Sequence, residues 1–187
     1  MYKRQDIYDK ILEAGVDHGL KLAGMHALNS LRLEKAFRHW GHDIANEDTP
    51  LEAGLGFAVK FDKPGGFIGQ EALLRQKDQI SIAKNGVLKK RLVQFALEDP
   101  EPLLYHNEPI WCNGKIVGDL TSGMYGHTSG TCLGMGYVSN EDGVSKDFLE
   151  SSTFEIEVAG ERLRASASLR AFYDPVSYTH LTLPTIL

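Results

Sequence analysis

Apolar runs are short in this 187-residue chain: Gly, Ser and His break the longest uncharged stretches, and none approaches the roughly 18 residues that a helical membrane span needs. Cysteine is scarce. Cys112 and Cys132 stand far apart with no CxxC pair, so a disulfide framework and a cysteine-based zinc site are both excluded, and two buried thiols in a reducing compartment are expected. No HExxH occurs, and no GxGxxG surrounds Gly54 and Gly56, so neither a zinc-protease helix nor a phosphate-binding loop is expected. His39 and His42 flank Trp40-Gly41 at a spacing compatible with one shared metal, but a metal site needs three or four ligands, and no metal is expected. Thr121-Ser122-Gly123 lacks the histidine and carboxylate order of a hydrolase and reads as turn chemistry. Positive charge is also limited. At a formal net charge of −5 the chain is a poor general binder of nucleic acid, whose affinity comes largely from phosphate neutralisation.

What is present is an ordinary globular composition, 42% hydrophobic and 24% charged, enough for one or two small domains. Ile7, Ile11 and Leu12 recur at helical spacing, with Gly15 or Gly19 as the stop, and Leu20-Lys21-Leu22 alternates like a short strand. A second helix begins near Gly24 and turns Ala27, Leu28, Leu31 and Leu33 toward a core. Glu34 then falls at the helix end, where the dipole disfavours a carboxylate, so unless it is solvated a cationic or donor-rich partner is required. Residues 57–61 read as a strand, Lys63-Pro64-Gly65-Gly66 as a turn, and residues 69–77 as an exposed helix. The pattern changes after Ser81 to short strands at 91–97, 110–112, 115–120, 132–138, 153–158 and 162–168. Asn113-Gly114 is the strongest hairpin signal, because both central positions of a type I′ turn need positive φ, and Ala159-Gly160 marks a second tight turn. These signals predict an α+β chain: an incomplete α/β part, then a small antiparallel barrel or sandwich, with the boundary near residues 80–87.

The two ends read as foreign. Met1-Tyr2-Lys3-Arg4-Gln5 and Val176-Ser177-Tyr178-Thr179-His180 translate two inverted copies of one short DNA element, which resembles the transposon-end adapter of sequencing libraries. Residues 1–5 and 176–187 are therefore expected to be adapter-derived and are set aside from fold reasoning. Without them the formal charge moves to about −7, since Lys3 and Arg4 leave and no acid does.

Three runs concentrate the functional information: Ser30-Leu31-Arg32-Leu33-Glu34-Lys35, the segment from Asp48-Thr49-Pro50 through Leu51-Glu52-Ala53-Gly54-Leu55, and Phe67-Ile68-Gly69-Gln70-Glu71. Together they resemble the folate-binding aminomethyltransferase family. With Phe37-Arg38-His39-Trp40, the wording is most similar to the carboxy-terminal half of the sarcosine and dimethylglycine dehydrogenases. The resemblance implies a truncated α/β folate-binding domain over residues 6–86 and the family's carboxy-terminal β-barrel over 87–175. It also implies tetrahydrofolate as cofactor, with FAD on a domain upstream of this chain, where amine oxidation would occur. The aspartate that the family uses for proton transfer would lie upstream as well, so no catalytic residue is expected here and the chain alone is expected to be inactive. The expected partners are tetrahydrofolate and the upstream flavin domain, with no nucleic acid and no membrane, in the cytoplasm or, in a eukaryote, the mitochondrial matrix.

Among individual residues, the resemblance assigns Glu34 to the pterin, whose guanidine-like edge offers two adjacent N–H donors to one carboxylate. The competing structural reading is a salt bridge from Glu34 to Arg32, Lys35 or Arg38. Arg91, in Lys89-Lys90-Arg91, matches a basic run that would reach the benzoyl-glutamate end of the cofactor; the alternative is a solvated strand start. Phe37 and Trp40 can wall a ring or pack in a core. Ala36-Phe37 stands where several relatives have Gly-Tyr, losing a hydroxyl, and the Gly-Gln-Glu motif lacks the cysteine of the branch that serves iron-sulfur maintenance. The glycine-cleavage aminomethyltransferase, and a non-catalytic docking barrel, are the alternative expectations.

Overall fold

The computed structural model describes residues 3–82 and 86–174; the carboxy-terminal adapter reading falls outside the described residues. Helices α1 (Lys3–Gly15), α2 (Met25–Glu34) and α3 (Gln70–Ile82) come first. Six strands follow: β1 (Lys90–Leu97), β2 (Pro109–Cys112), β3 (Lys115–Gly126), β4 (Thr131–Ser139), β5 (Phe154–Val158) and β6 (Glu161–Ser168), with a short α4 (Lys146–Ser151) before β5. They form a closed barrel in the order β1-β4-β3-β2-β5-β6, and antiparallel pairing of β6 with β1 completes the ring. Closure leaves no sheet edge to protect.

Local chemistry sets the corners. Asn113 and Gly114 sit at φ of 49° and 80° between β2 and β3, and Ala159 and Gly160 at 51° and 85° between β5 and β6. Both are two-residue turns of the kind whose twist matches paired strands. The Ser145 side chain caps α4 by accepting from the Phe148 N–H at 3.0 Å. Inside the barrel, Val93, Phe95 and Leu97 of β1 meet Ile110, Leu120, Cys132, Val138 and Ile156 in one apolar core. Both thiols are free and buried.

The outward faces of β1 and β4 are covered in turn by α2 and the segment after it. Leu92 and Met135 form a second cluster with Leu33 and Ala36. The Leu92 N–H also donates to the Glu52 carbonyl at 2.9 Å, tying the 45–55 segment to the first barrel strand. By contrast, α1 buries none of its residues. Ile7 and Ile11, placed at helical spacing, are 58% and 55% exposed, and Leu22, Met25, Leu28 and Leu31 are exposed as well.

Three local expectations are corrected. Residues 20–22 are irregular, and residues 57–61 hold a 3₁₀ turn, Gly56–Ala58, in place of a strand. An alternating pattern becomes a strand only when a neighbour satisfies its backbone groups, and in neither place is a paired strand present among the described residues. Thr121-Ser122-Gly123 is not a turn. It lies within β3, where the register against β4 shifts between Leu120 and Ser122 and leaves Thr121 as an inserted residue.

Candidate folate-binding site

Glu34 ends α2 and is only 2% exposed. Its side chain passes under the turn that joins β3 to β4. There the backbone N–H groups of Thr128 and Ser129 donate to Oε1 at 2.6 and 2.9 Å. One helical turn earlier, Ser30 donates through Oγ to the Tyr125 carbonyl at 2.7 Å, so the same face of α2 is fastened to the same hairpin twice. On the far side the Tyr173 N–H donates to the Glu34 carbonyl at 3.3 Å. Gly126 makes the approach possible, because a Cβ there would stand 2.9 Å from a Leu133 methyl and 3.2 Å from Glu34 Oε1.

Burial pushes the Glu34 carboxyl up, but the surrounding donors outweigh it and hold the group below the usual carboxylate range. Those donors are the Ser129 N–H, the Thr128 hydroxyl, the Thr128 N–H and the Ser129 hydroxyl. The Ser129 hydroxyl is near enough to favour charge yet makes no hydrogen bond of good geometry, so the two backbone donors carry the ordered part of the contact. The cover over the carboxylate is thin, since Thr128 and Gly130 are themselves exposed. Such a group is a charged, oriented acceptor just beneath the surface.

The cations that could have neutralised Glu34 are engaged elsewhere. Arg32 donates through Nη1 to Asp43 Oδ2 at 2.5 Å and through Nη2 to Ser122 Oγ at 2.7 Å. Asp43 is completely buried and also accepts from the His39 N–H at 2.8 Å and from Thr121 Oγ1 at 2.6 Å. Arg38 donates to the carbonyls of Ala53 and Ala36 at 3.0 and 2.7 Å. Lys35 reaches Asp174 at 3.9 Å and lies over the Tyr173 ring.

The basic run 89–91 leads into β1, and its three side chains go to different partners. Lys89 pairs with Glu141 and Lys90 with Asp48, while Arg91 directs Nη1 to the Val144 carbonyl at 3.4 Å. Arg91 alternates in phase with Val93 and Phe95, which line the barrel interior, whereas Leu92 lies with Leu33 beneath α2. Arg91 also pairs with Val138, near the end of β4 remote from the Glu34 hairpin. The strand rise from Thr131 to Val138 puts roughly 20 Å between these levels. The structure therefore does not bring Glu34 and Arg91 to one cavity. Phe37 and Trp40 are exposed beyond α2, and the His39 and His42 rings stack on each other at 4.6 Å. Among the described residues, no group of three or more His, Cys, Asp or Glu side chains is arranged to hold a metal ion.

Residues 2–63 match the GCVT N-terminal domain and residues 90–174 the glycine cleavage T-protein C-terminal barrel domain. The chain belongs to the glycine cleavage T-protein family. Among its relatives is 4-methylaminobutanoate oxidase (formaldehyde-forming) of Paenarthrobacter nicotinovorans, 46% identical over 170 residues that make up 91% of this chain and 19% of the oxidase. Human mitochondrial sarcosine dehydrogenase is 37% identical over 171 residues, 90% of this chain and 18% of that protein. The chain thus spans less than a fifth of the length of these relatives. The same fold occurs in the glycine cleavage system aminomethyltransferase T from Bartonella henselae, with a TM-score of 0.68, 22% identity and coverage of 88% of this chain and 42% of that one. No described helix is long and apolar enough to cross a membrane.

Sequence reasoning singled out Glu34 but missed Asp43, Thr121, Thr128 and Ser129. The signal for Asp43 was weak: a lone carboxylate eleven residues from Arg32. The hydrogen bonds that Thr128 and Ser129 make to Glu34 come from their backbone N–H groups, which leave no trace in residue type.

Proposed function

We propose that this chain is the tetrahydrofolate-binding, carboxy-terminal part of an FAD-dependent N-methyl amine dehydrogenase of the sarcosine and dimethylglycine type. The observation that carries the proposal is Glu34: a buried carboxylate, oriented by two backbone donors and kept ionised, with Arg32 and Arg38 committed to other acceptors. With Oε1 held by the two backbone donors, Oε2 remains as the anionic acceptor for the N–H donors of a pterin edge. When bound, tetrahydrofolate supplies a nucleophilic nitrogen that accepts a one-carbon unit. The chain's own share is to bind and orient the ring through Glu34, while α2 and the hairpin exclude water from the Oε1 side. Flavin chemistry and proton transfer belong, on this reading, to upstream parts of a longer polypeptide. The relatives that oxidise N-methyl amines, each several times longer than this chain, support that division.

Arg91 keeps the part that the resemblance gives it, contact with the benzoyl-glutamate end of the cofactor, away from the ring at Glu34. The test is expression of the longer parent polypeptide. Amine-dependent flavin reduction coupled to transfer of the carbon to tetrahydrofolate is expected there, and no flavin-coupled turnover in this chain alone. A parent without flavin that uses a lipoyl-bound carrier would replace this proposal with the glycine-cleavage aminomethyltransferase.

A further inference from the structure

An asparagine followed by glycine carries a chemistry of its own, because the glycine nitrogen can attack the asparagine Cγ and no side chain on the glycine hinders ring closure. Among the described residues, Asn113 is the asparagine that precedes a glycine; Asn107 and Asn140 precede Glu108 and Glu141. Asn113-Gly114 forms the exposed corner between β2 and β3, at φ of 49° and 80°. A Cβ added to Gly114 would meet nothing within 4 Å, so the surroundings leave room at that residue. The barrel's other two-residue turn has Ala159-Gly160 at φ of 51° and 85°, so this turn conformation does not itself require a reactive amide.

What Asn113 adds is a latch to the start of β5. Its N–H donates to the Thr153 carbonyl at 3.0 Å, and the Thr153 N–H donates back to Asn113 Oδ1 at 3.0 Å. Nδ2 donates to Ser152 Oγ at 3.4 Å, a long and weak contact. Backbone and carboxamide of one residue are thus both held against the Ser152-Thr153 segment. From this geometry we propose that Asn113 is a fold-gated deamidation site: the latch holds the carboxamide from the Gly114 nitrogen, and local opening of this corner releases it to react. In the reaction the Gly114 nitrogen forms a bond to Asn113 Cγ and gives up its proton, the Cγ–Nδ2 bond breaks, and ammonia leaves a cyclic imide. Water then opens the ring at Cγ to give aspartate, or at the backbone carbonyl to give isoaspartate. Either product lacks the Nδ2 donor and adds a negative charge. Isoaspartate also lengthens the main chain by one carbon within a two-residue turn, which disrupts the pairing of Cys112 with Lys115 that the turn sets. The modification therefore records an opening of the barrel corner and keeps it from closing as before.

The test uses this chain with Asn85→Gln, which removes the sequence's other Asn-Gly pair, Asn85-Gly86, whose asparagine lies outside the described residues. Native samples and samples unfolded in guanidinium chloride are held in warm neutral buffer. Peptide mapping by mass spectrometry follows the replacement of NH₂ by OH at residue 113, and electron-transfer fragmentation separates isoaspartate from aspartate. The unfolded chain should convert Asn113 chiefly to isoaspartate, and the native chain at least about tenfold more slowly, as a local opening that costs about 1.4 kcal/mol dictates. Ser152→Ala removes the acceptor of Nδ2 and Thr153→Pro the donor to Oδ1, and each should speed conversion in the native state, the proline more. Circular dichroism checks that each variant is folded; if the proline variant is not, Ser152→Ala and the comparison of native with unfolded chain decide. Equal rates in native and unfolded chain, or an unfolded chain that leaves Asn113 intact, would overturn the proposal. A native rate unchanged in Ser152→Ala, and in Thr153→Pro where it folds, would overturn the latch as its gate.

Discussion

Arg32 and Asp43 form a buried ion pair, Nη1 to Oδ2 at 2.5 Å, with the aspartate fully enclosed, and it is this pair that ties α2 to the barrel bulge. Arg32 and Glu34 are two residues apart in the same motif yet serve different ends. One anchors the helix and the other presents an acceptor.

Truncating Asp43 should therefore destabilise the chain strongly. Asp43→Ala leaves the Arg32 guanidinium buried without its counter-ion and removes an acceptor from Thr121, a loss of about 3 to 5 kcal/mol for a broken buried pair. Urea denaturation checks this, and a cost below about 1 kcal/mol would show that the pair is not holding the helix. The double change Arg32→Met with Asp43→Leu should recover much of the loss, because no orphaned charge remains.

Acid should loosen the contact between α2 and the hairpin. A carboxylate whose folded pKa is depressed contributes stability that is present above its unfolded value of 4.5 and is lost as pH falls through the lower folded value. Wild type should lose more stability than Glu34→Gln over that interval, and the two should run parallel above it. Denaturation midpoints measured from neutral pH down to about pH 3 test the sign, with the ordinary carboxylate range as reference. A glutamine variant that is equally acid-sensitive would mean that the proton goes elsewhere.

Limited proteolysis should separate the two halves. The barrel is closed and encloses its own apolar core, while α1 buries nothing and leaves Ile7, Ile11, Leu22 and Leu28 in solvent. Cleavage before α2 is expected first, with a resistant product containing residues 90–168. Mass spectrometry of the fragments reads the outcome, and equal protection of α1 and the barrel in a monomer would contradict it.

The barrel was legible because its information is local. Positive-φ pairs at Asn113-Gly114 and Ala159-Gly160 mark turns without reference to distant residues, and the flanking runs then have only one way to pair. The amino-terminal half was less legible for the opposite reason. Residues 20–22 and 57–61 carry strand-like alternation, but a strand is a relation between two segments. Thr121 shows the same limit within the barrel, since a bulge is a matter of register against β4 and polar residues look alike in a bulge and a turn. At the site, the need for a donor-rich partner at Glu34 followed from its place at a helix end. Its identity did not, because Thr128 and Ser129 answer with backbone N–H groups from 94 and 95 residues away.

The central claim is that Glu34 holds a pterin, and its most direct test is tetrahydrofolate titration of the longer parent polypeptide beside anaerobic reduction of its flavin by the amine. In Glu34→Gln the amide oxygen takes the place of Oε1 between the Thr128 and Ser129 N–H groups and the NH₂ group then faces the pterin donors, at a cost on the order of 2 to 4 kcal/mol, or roughly thirty- to a thousand-fold in affinity. Flavin reduction should be nearly unchanged, and Arg91→Leu should weaken folate far less than Glu34→Gln does. Unchanged folate affinity in Glu34→Gln would contradict the account and return Glu34 to a structural clasp between helix and hairpin.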